Sequence, residues 1–547
     1  MTSALIPTEP TPSVTHVASR GRAPSRAELA AVALAIAALL ALPFVVPSLR
    51  VLLLRPLWLD ELHTWLLARE LPGPALVDRL ARGADFNPPL LYLIDAAMLR
   101  LLPAVPPQMT LRITSVLAVG GAALLLYVAS RNRVGAVAAA VASLGFLSHP
   151  VLLGQLHEAR FYAVWLLLAV GVAVAMQQLV ERPDSASRFA RLALLSALTC
   201  LIHYFGVISL GCLAAGALLQ RTSREKATRL LAAMGVGVLA LVAWLPVYAR
   251  QRHVLSVPTW VEPVTLDQFT FFVKAYYAWL PVAFVLVAVA VQGMLRGRRS
   301  PDEGVSLSTA QAALLGLMAL PPVLVGFSLV VQPALVDRYA LPAVAGIACV
   351  VAIAIARLPF RVQQLLLVGA FLLHARALRE RAGSAATFAA GVRGRVRAVN
   401  AVANDPRPVV ASERNTLYPV ALSAANRNPR LSYISIPNDS MRRYFSAPGE
   451  RPTADRFIVE HDAAIAHREI FGFPRLLALD SLRRLESYFV LGYQPDRPQL
   501  AFLYEGRALC RVRPYLFLVS NATASRTAPN APVPDCPASG LAASPRN

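Results

Sequence analysis

The sequence predicts an α-helical polytopic membrane protein with about eleven transmembrane helices, followed by a small α/β domain. Hydrophobic residues make up 56% of the 547 residues and charged residues only 15%, and the mean hydropathy is +0.53. This balance is typical of integral membrane proteins. The apolar residues are concentrated in runs of about 20, the length of a membrane-spanning helix, and the last part of the chain lacks such runs.

The apolar runs define the candidate crossings, at 27–49, 111–130, 134–155, 161–180, 191–220, 230–249, 275–295, 309–331, 339–356 and 362–378. The run 191–220 is long for one helix and carries His203-Tyr204-Phe205-Gly206 near its centre. We interpret it as two short helices, which brings the total to about eleven crossings. The segment 88–103 is apolar but short, and it carries Asp95 and Arg100, which favours a helix at the membrane interface.

The arginines predict the side on which each loop lies, because basic residues concentrate in cytoplasmic loops. With the N-terminus in the cytoplasm, every tight basic cluster falls on the cytoplasmic side. The clusters are Arg20/Arg22/Arg26, Arg131/Arg133, Arg182/Arg188/Arg191, Arg221/Arg224/Lys226/Arg229, Arg296/Arg298/Arg299 and Arg357/Arg361. We therefore predict a cytoplasmic N-terminal segment at 1–26, a transmembrane domain at 27–378 and an extracytoplasmic α/β domain at 379–520.

The formal net charge of +22 does not indicate a nucleic-acid partner. The arginines stand in short clusters between apolar runs, which is the pattern of residues that flank membrane helices. The sequence therefore predicts membrane lipids, and no nucleic acid, as the surroundings of these charges.

The C-terminal part changes character after about residue 379. Segments 406–412, 430–436, 456–460 and 514–520 are rich in Val, Ile and Tyr and predict strands, whereas 476–488 has leucines at helical spacing. Residues 521–547 are rich in Pro, Ala and Ser and predict a disordered tail. Cys510 and Cys536 would be able to pair if this part lies outside the cytoplasm.

The predicted extracytoplasmic side collects polar motifs from distant parts of the chain. The first is the carboxylate pair Asp60-Glu61, between Trp58 and Trp65. Ionisable residues at a membrane surface are costly to desolvate, so a functional role is the default interpretation. Further motifs on this side are Asn87-Pro88-Pro89-Leu90-Leu91-Tyr92, His157-Glu158-Ala159-Arg160-Phe161-Tyr162, His203-Tyr204-Phe205 and Asp337-Arg338-Tyr339-Ala340-Leu341-Pro342.

Residues 27–360 resemble bacterial membrane glycosyltransferases of the C-type fold, because these motifs share their order along the chain and lie on one predicted side of the membrane. That family is related to protein O-mannosyltransferases and lipid A aminoarabinose transferases. Those enzymes carry an Asp-Glu pair in the first extracytoplasmic loop, as at Asp60-Glu61. The resemblance implies a protein of the bacterial inner membrane with a polyprenyl-phosphate sugar as donor. It also implies that a lipid, glycan or protein acceptor is glycosylated outside the cytoplasm, with inversion.

The resemblance also suggests roles for individual residues. A hydroxyl acceptor needs a base, and Asp60 is the candidate. Glu61 would position the acceptor or bind a divalent cation. The leaving phosphate needs cationic donors, for which guanidinium groups are well shaped. The candidates for contacts with donor or acceptor are Arg160, Arg338, Lys274, His203, Asn87, Glu158 and Tyr162.

Each of these residues also has a purely structural interpretation. The Asp60-Glu61 pair would cap an interfacial helix. Arg160 would form a salt bridge with Glu158, and Arg338 would pair with Asp337 or snorkel to the interface. The remaining three have simpler alternatives: Lys274 as an interfacial anchor, His203 as a helix-packing residue and Asn87 as a turn residue before Pro-Pro.

Two other classes of function compete with an enzyme. A transporter would need paired helical repeats or charged residues at the membrane midplane, and the sequence has neither. A non-catalytic scaffold for assembly of cell-envelope glycans would not need the Asp60-Glu61 pair, which is present.

Overall fold

The computed structural model of the protein describes residues 25–69, 73–220, 223–254, 261, 263–277, 307–444, 451–492, 507–521 and 533–537. Three predicted segments lie mostly outside these residues: the N-terminal segment 1–26, the crossing at 275–295 and the tail 521–547. The described helices are α1 Arg26–Val45, α2 Val51–Leu54, α3 Leu59–Arg69, α4 Pro74–Ala81, α5 Leu90–Leu101, α6 Pro107–Val134, α7 Ala136–Phe146, α8 Pro150–Leu156, α9 Tyr162–Glu181, α10 Ala186–Ile202, α11 Gly206–Leu218, α12 Arg224–Val254, α13 Leu266–Tyr277, α14 Thr309–Gly316, α15 Leu320–Val330, α16 Ala343–Ile355, α17 Phe360–Asn400, α18 Arg414–Ala421, α19 Asn438–Tyr444, α20 Arg451–Phe471 and α21 Leu479–Arg483.

Local sequence signals explain where several of these helices begin and end. Ser25 caps α1 by accepting the backbone N–H of Glu28, and Ser308 and Gln311 form a capping box at the start of α14. Gly135 ends α6 with a positive φ of 86°, a conformation that costs glycine little.

Five described helical segments are long and apolar enough to cross a membrane. They are α1, α6, α9, α12 and the segment Thr309–Val330, which contains α14 and α15. The bent pair α7 and α8, at 66° to each other, would make a sixth. Apolar side chains such as Leu34, Leu117, Leu239 and Leu365 are exposed on the long helices. Exposure of this kind is expected where lipid covers the surface. The chain is thus a multi-pass membrane protein, although the described spans do not reach the predicted eleven.

The run 191–220 is broken at the predicted position. Helix α10 ends at Ile202 and α11 begins at Gly206. Gly206 is required there, because a Cβ at this position would lie 2.0 Å from the carbonyl oxygen of Thr199. The segment 88–103 contains the 12-residue helix α5, which is too short to span a bilayer.

Contacts between helix ends show which loops share a side. Arg131 at the end of α6 pairs with Glu28 at the start of α1 (Nε–Oε1 2.7 Å). Arg229 near the start of α12 pairs with Asp184 between α9 and α10 (2.8 Å). Gln220 after α11 donates to the carbonyl oxygen of Leu307 before α14 (2.7 Å). We call this the Arg131 side. Arg357 and Arg361 also belong to it, because Ile355 and Leu366 pack with Val134 at the end of α6. The Asp60 motif lies at the opposite ends of the helices, since Arg112 at the start of α6 binds Glu61.

The C-terminal domain contains a six-stranded sheet. Its strands are β1 Val409–Ala411, β2 Leu431–Ser435, β3 Leu476–Ala478, β4 Ser487–Leu491, β5 Ala508–Arg513 and β6 Leu516–Ser520, in the order β3-β2-β1-β4-β6-β5. The first four are parallel, and β6 pairs antiparallel with β4 and β5. Successive residues of β1, β2 and β4 are buried on alternate faces, so the sheet is covered on both sides.

Three of the four predicted strands are present, and the fourth is wrong. Residues 456–460 lie inside α20, because Ala454, Phe457, Ile458 and Ala464 form the buried stripe of a longer helix. The predicted helix at 476–488 is also wrong. It contains β3, the five-residue helix α21 and the start of β4, because Leu476 and Tyr488 pair with neighbouring strands.

Two further features concern the domain boundary and the cysteines. The predicted boundary after residue 378 falls within α17, a continuous helix of 41 residues that belongs to both domains. Cys510 and Cys536 form a disulfide bond.

The apolar core around β1 and β4 also includes Leu57, Leu59 and Leu62, so the C-terminal domain packs directly on α3.

Candidate active site

The adjacent carboxylates Asp60 and Glu61 occupy opposite environments in the first turn of α3. Successive residues of a helix point about 100° apart. The side chain of Asp60 is 24% exposed, whereas that of Glu61 is 0% exposed. Only Asp60 of the pair can therefore meet a substrate.

Glu61 is held by two arginines and two backbone groups. Arg112 donates to both carboxylate oxygens (Nε–Oε1 2.9 Å, Nη2–Oε2 2.6 Å), and Arg55 Nη1 lies 3.1 Å from Oε2. The backbone N–H groups of Trp58 and Ala159 donate to the same carboxylate at 3.1 and 2.9 Å. Although burial alone would raise it, the charges of Arg112 and Arg55 hold the pKa of Glu61 below its usual range. This carboxylate has no exposed atom for an acceptor or a cation, contrary to the prediction for Glu61.

Glu158 belongs to the same buried cluster. Its Oε1 accepts from Arg55 Nη2 at 2.8 Å and from Arg381 Nη2 at 3.4 Å, and its Oε2 accepts from the indole N–H of Trp58. The alternative salt bridge between Glu158 and Arg160 is absent from the described ion pairs. We call Arg55, Glu61, Arg112, Glu158 and Arg381 the Glu61 cluster; it ties α3, α6 and α17 together.

Arg160 holds the backbone of the Asp60 turn. Its Nη1 donates to Asp85 Oδ2 (2.8 Å), to the carbonyl oxygen of Asp60 (3.0 Å) and to Thr64 Oγ1 (3.1 Å). Asp85 is buried, and although burial raises it, the charge of Arg160 holds the pKa of Asp85 below its usual range. Asn87 donates to Asp85 Oδ1 at 3.0 Å, as expected of a turn residue.

Arg338 lies beside the exposed carboxylate. Its Nη2 is 3.6 Å from Asp60 Oδ2, and its Nε donates to the hydroxyl of Tyr162 at 2.8 Å. The guanidinium also faces the rings of Tyr162 and Tyr339 at 5.8 and 5.9 Å. The Asp337 carboxylate accepts the backbone N–H of Arg338. With 21% of its side chain exposed, Arg338 can still contact a ligand.

His203 lies in an aromatic cluster next to this arginine. Its ring stacks on Phe161 at 4.6 Å and on Trp165 at 4.7 Å, and its Nδ1 accepts the backbone N–H of Phe205 at 3.2 Å. These contacts match the packing interpretation of His203. Lys274 is exposed on α13, and the described contacts do not join it to Asp60.

Four residues of this region were not predicted from the sequence: Arg55, Asp85, Arg112 and Arg381. Arg112 carried a detectable signal, since it is an ionisable residue at the start of the apolar run 111–130. Asp85 stands two residues before the first residue of the Asn87–Tyr92 motif. Arg55 and Arg381 resemble ordinary flanking arginines, so no sequence signal distinguished them.

The donor set around Asp60 does not fit a divalent cation. Among the described residues there is no group of three or more His, Cys, Asp or Glu side chains that could hold a metal ion. The carboxylates of Glu61 and Glu158 are occupied by guanidinium groups, and the Asp60 carboxylate has a cation, Arg338, at 3.6 Å. The arrangement instead suits a proton acceptor beside an anion-binding group.

Comparisons with solved structures reveal the fold. ArnT from Cupriavidus metallidurans bound to undecaprenyl phosphate matches with a TM-score of 0.54 at 13% identity, over 91% of this chain and 98% of that one. The apo state of the same enzyme matches with a TM-score of 0.55 at 13% identity, over 90% and 97%. The chain has the C-type glycosyltransferase fold. The oligosaccharyltransferase AglB from Archaeoglobus fulgidus matches with a TM-score of 0.45 at 12% identity, over 90% and 74%. The sequence itself matches no family model and no curated protein.

Proposed function

We propose that the protein is a membrane glycosyltransferase that transfers a sugar from a polyprenyl-phosphate donor to a lipid, glycan or protein acceptor. One observation carries the proposal: in a chain with the fold of ArnT, Asp60 is a partly exposed carboxylate beside a cation that is also partly exposed, Arg338. The neighbouring acidic groups Glu61 and Glu158 are engaged by arginines. Undecaprenyl phosphate in the ArnT structure supports a lipid phosphate as the leaving group.

Asp60 acts in this proposal as the general base. The acceptor hydroxyl transfers its proton to Asp60 as its oxygen attacks the anomeric carbon of the donor. The bond between that carbon and the phosphate oxygen breaks, and the electron pair leaves with the phosphate. Attack from the face opposite the phosphate inverts the anomeric centre. A positioned base of this kind contributes roughly 10²–10⁴-fold to the rate.

Arg338 binds the leaving phosphate. Its Nη2 lies close to the Asp60 carboxylate, so a phosphate at this guanidinium would be near the acceptor that Asp60 activates. The planar group matches phosphate oxygens, and its charge offsets the charge that develops on the departing group. We assign Arg160 a positioning role instead, because its Nη1 is already shared by three acceptors.

We further propose that the Asp60 site and the C-terminal domain face the extracytoplasmic side of the bacterial inner membrane. The described basic clusters lie on the opposite side, as cytoplasmic loops do. The Cys510–Cys536 disulfide in the C-terminal domain supports the same orientation, because disulfides persist in oxidising compartments.

A deletion strain tests the proposed function. Polyprenyl-phosphate sugars and envelope glycans would be compared between this strain, its parent and a strain complemented with the Asp60→Asn variant. We expect one polyprenyl-phosphate sugar to accumulate and one glycan modification to disappear in the deletion strain, with no rescue by Asp60→Asn. Unchanged lipid-linked sugars and unchanged envelope glycans in the deletion strain would contradict the proposal.

A further inference from the structure

The C-terminal domain contacts the membrane domain through a small polar cluster. His467, near the end of α20, packs its ring on that of His63 in α3, with the centroids 4.6 Å apart and the planes at 81°. The Nε2 of His467 lies 2.8 Å from the carbonyl oxygen of Ala84, in the loop before α5. Its Nδ1 lies 3.0 Å from the hydroxyl of Tyr418 in α18. We call His63, Ala84, Tyr418 and His467 the His467 latch.

The partners of His467 determine its tautomer. A carbonyl oxygen can only accept, so Nε2 carries the hydrogen and donates to Ala84. The other ring nitrogen then accepts the hydrogen of the Tyr418 hydroxyl. Both nitrogens of a ring that is 1% exposed are therefore satisfied by partners from two different domains. A buried polar group with complete bonding holds its neighbours in one arrangement.

Two connections lead from the latch to Asp60. The first passes through the backbone from Ala84 to Asp85. The Asp85 carboxylate accepts a hydrogen bond from Arg160 Nη1 (2.8 Å), and the same Nη1 donates to the carbonyl oxygen of Asp60 (3.0 Å). The second passes along α3, because His63 lies one helical turn after Asp60. Both connections end at the turn that carries the exposed carboxylate.

Apolar packing surrounds the latch and fixes the end of α20. Ile470 and Phe471 pack against a cluster of Leu67, Leu76 and Leu80 from α3 and α4. The guanidinium of Arg79 lies 5.6 Å from the Phe471 ring, and Phe473 packs on Tyr418 at 4.9 Å. This packing leaves His467 1% exposed at the contact between the domains.

We propose that His467 is a positioning residue of the active site, through which the C-terminal domain holds the Asp60 turn and the Asp85–Arg160 pair in the geometry for transfer. The proposal rests on the proposed function and deepens it, since it makes the C-terminal domain part of the site. Small displacements of a catalytic group can reduce the rate by about 10²-fold. Because closeness alone does not establish coupling, the proposal requires a direct test.

The chain provides a matched control for that test. His461 lies in the same helix, is 5% exposed and bonds through Nε2 to Ser435 Oγ at 2.9 Å, within its own domain. His467→Ala and His461→Ala therefore remove the same side chain from similar burial. The two variants differ in whether the contact with the membrane domain is lost.

Amide hydrogen exchange and kinetics would be measured on both full-length variants in detergent. For His467→Ala we expect faster exchange in residues 59–69 and 84–92, and a kcat reduced roughly 10- to 100-fold with little change in the KM for the donor. For His461→Ala we expect both quantities to match the wild type. His467→Gln, whose amide can donate to Ala84, should recover part of the lost kcat.

The outcomes separate this proposal from the proposed function. Equal exchange and equal kcat in His467→Ala and His461→Ala would overturn the positioning role of His467. If the wild-type protein transfers no sugar from any polyprenyl-phosphate donor, the proposed function fails, and the exchange comparison alone decides whether the latch holds the Asp60 turn. If His467→Ala does not fold, His467→Phe replaces it, because it keeps a packed ring but cannot donate to Ala84. Unchanged exchange and kcat in that variant would overturn the proposal.

Discussion

Asp60 and Glu61 differ in role because they differ in surroundings. Both are carboxylates in the first turn of one helix, yet Glu61 is buried among guanidinium groups and Asp60 is exposed beside one. Buried charges are tolerated only when their partners are close and well oriented. Glu61 therefore holds α3 in place, whereas Asp60 keeps a partly exposed carboxylate, as the proposed role of a base requires.

A stability measurement distinguishes the two carboxylates. Glu61→Gln would leave Arg112 and Arg55 buried with too little negative charge, so we expect a loss of about 3–5 kcal/mol in the free energy of unfolding. Asp60→Asn, the matched control, removes a partly exposed charge and should change stability little. Thermal unfolding in detergent, followed by tryptophan fluorescence, checks both. Equal midpoints for Glu61→Gln and the wild type would mean that the Glu61 cluster does not stabilise the fold.

The sequence was informative about single residues only where a motif was present. The sequence motifs pointed to candidate site residues that the structure brings to one region, namely Asp60, Glu61, Arg160 and Arg338. Which member of the pair is buried depends on Arg55 and Arg112, which come from other elements. Arg112 stands out in the sequence as an ionisable residue in an apolar run, but no local pattern shows that the tertiary fold brings it to Glu61.

At the scale of elements, two helices cross at a pair of glycines. A Cβ on Gly216 of α11 would lie 2.2 Å from the carbonyl oxygen of Ala312 in α14, and one on Gly316 would lie 2.1 Å from that of Cys212. Helices in membranes associate closely where small residues let their backbones approach. This crossing joins the second half of the broken run 191–220 to the span that leads to Arg338.

A pair of glycine variants tests this crossing. Gly216→Ala should separate α11 from α14 and lower the thermal unfolding midpoint, because the clash is with backbone atoms that cannot move alone. Gly211→Ala, in the same helix, has nothing within 4 Å of the added Cβ and should be neutral or slightly stabilising. The two midpoints would be compared in the same detergent. A midpoint for Gly216→Ala that equals that of Gly211→Ala would contradict the observed packing.

Helices and breaks were predictable where the local pattern agreed with the fold. The apolar runs correspond to helices in the described residues, and the break at 203–205 follows from polar and aromatic residues within an apolar run. The failures were in the C-terminal domain. Short apolar stretches such as 456–460 suit either a strand or a buried helix, and their partners in the tertiary structure decide between the two.

At the scale of the molecule, one side of the helix bundle carries basic loops and the other carries the Asp60 site. The C-terminal domain packs on the Asp60 side through α3 and the latch. The site is therefore built where the two domains meet. A donor whose lipid tail stays in the bilayer would present its phosphate at this level.

The absolute orientation can be measured with reporter fusions. A phosphatase that is active only outside the cytoplasm, fused after about residue 400, should be active, because the basic loops should stay in the cytoplasm. The same phosphatase fused after Arg133, on the Arg131 side, is the control and should be inactive. Activity from a cytoplasm-only reporter at residue 400 would invert the topology.

The most direct test of the account is transfer by the purified Asp60→Asn variant. The substitution keeps the size of the side chain but removes its basicity. With a polyprenyl-phosphate sugar and its acceptor in detergent, and with equal amounts of folded protein, we predict that turnover falls by about a hundredfold or more. Turnover near that of the wild type in a well-folded Asp60→Asn protein would contradict the assignment of Asp60 as the base.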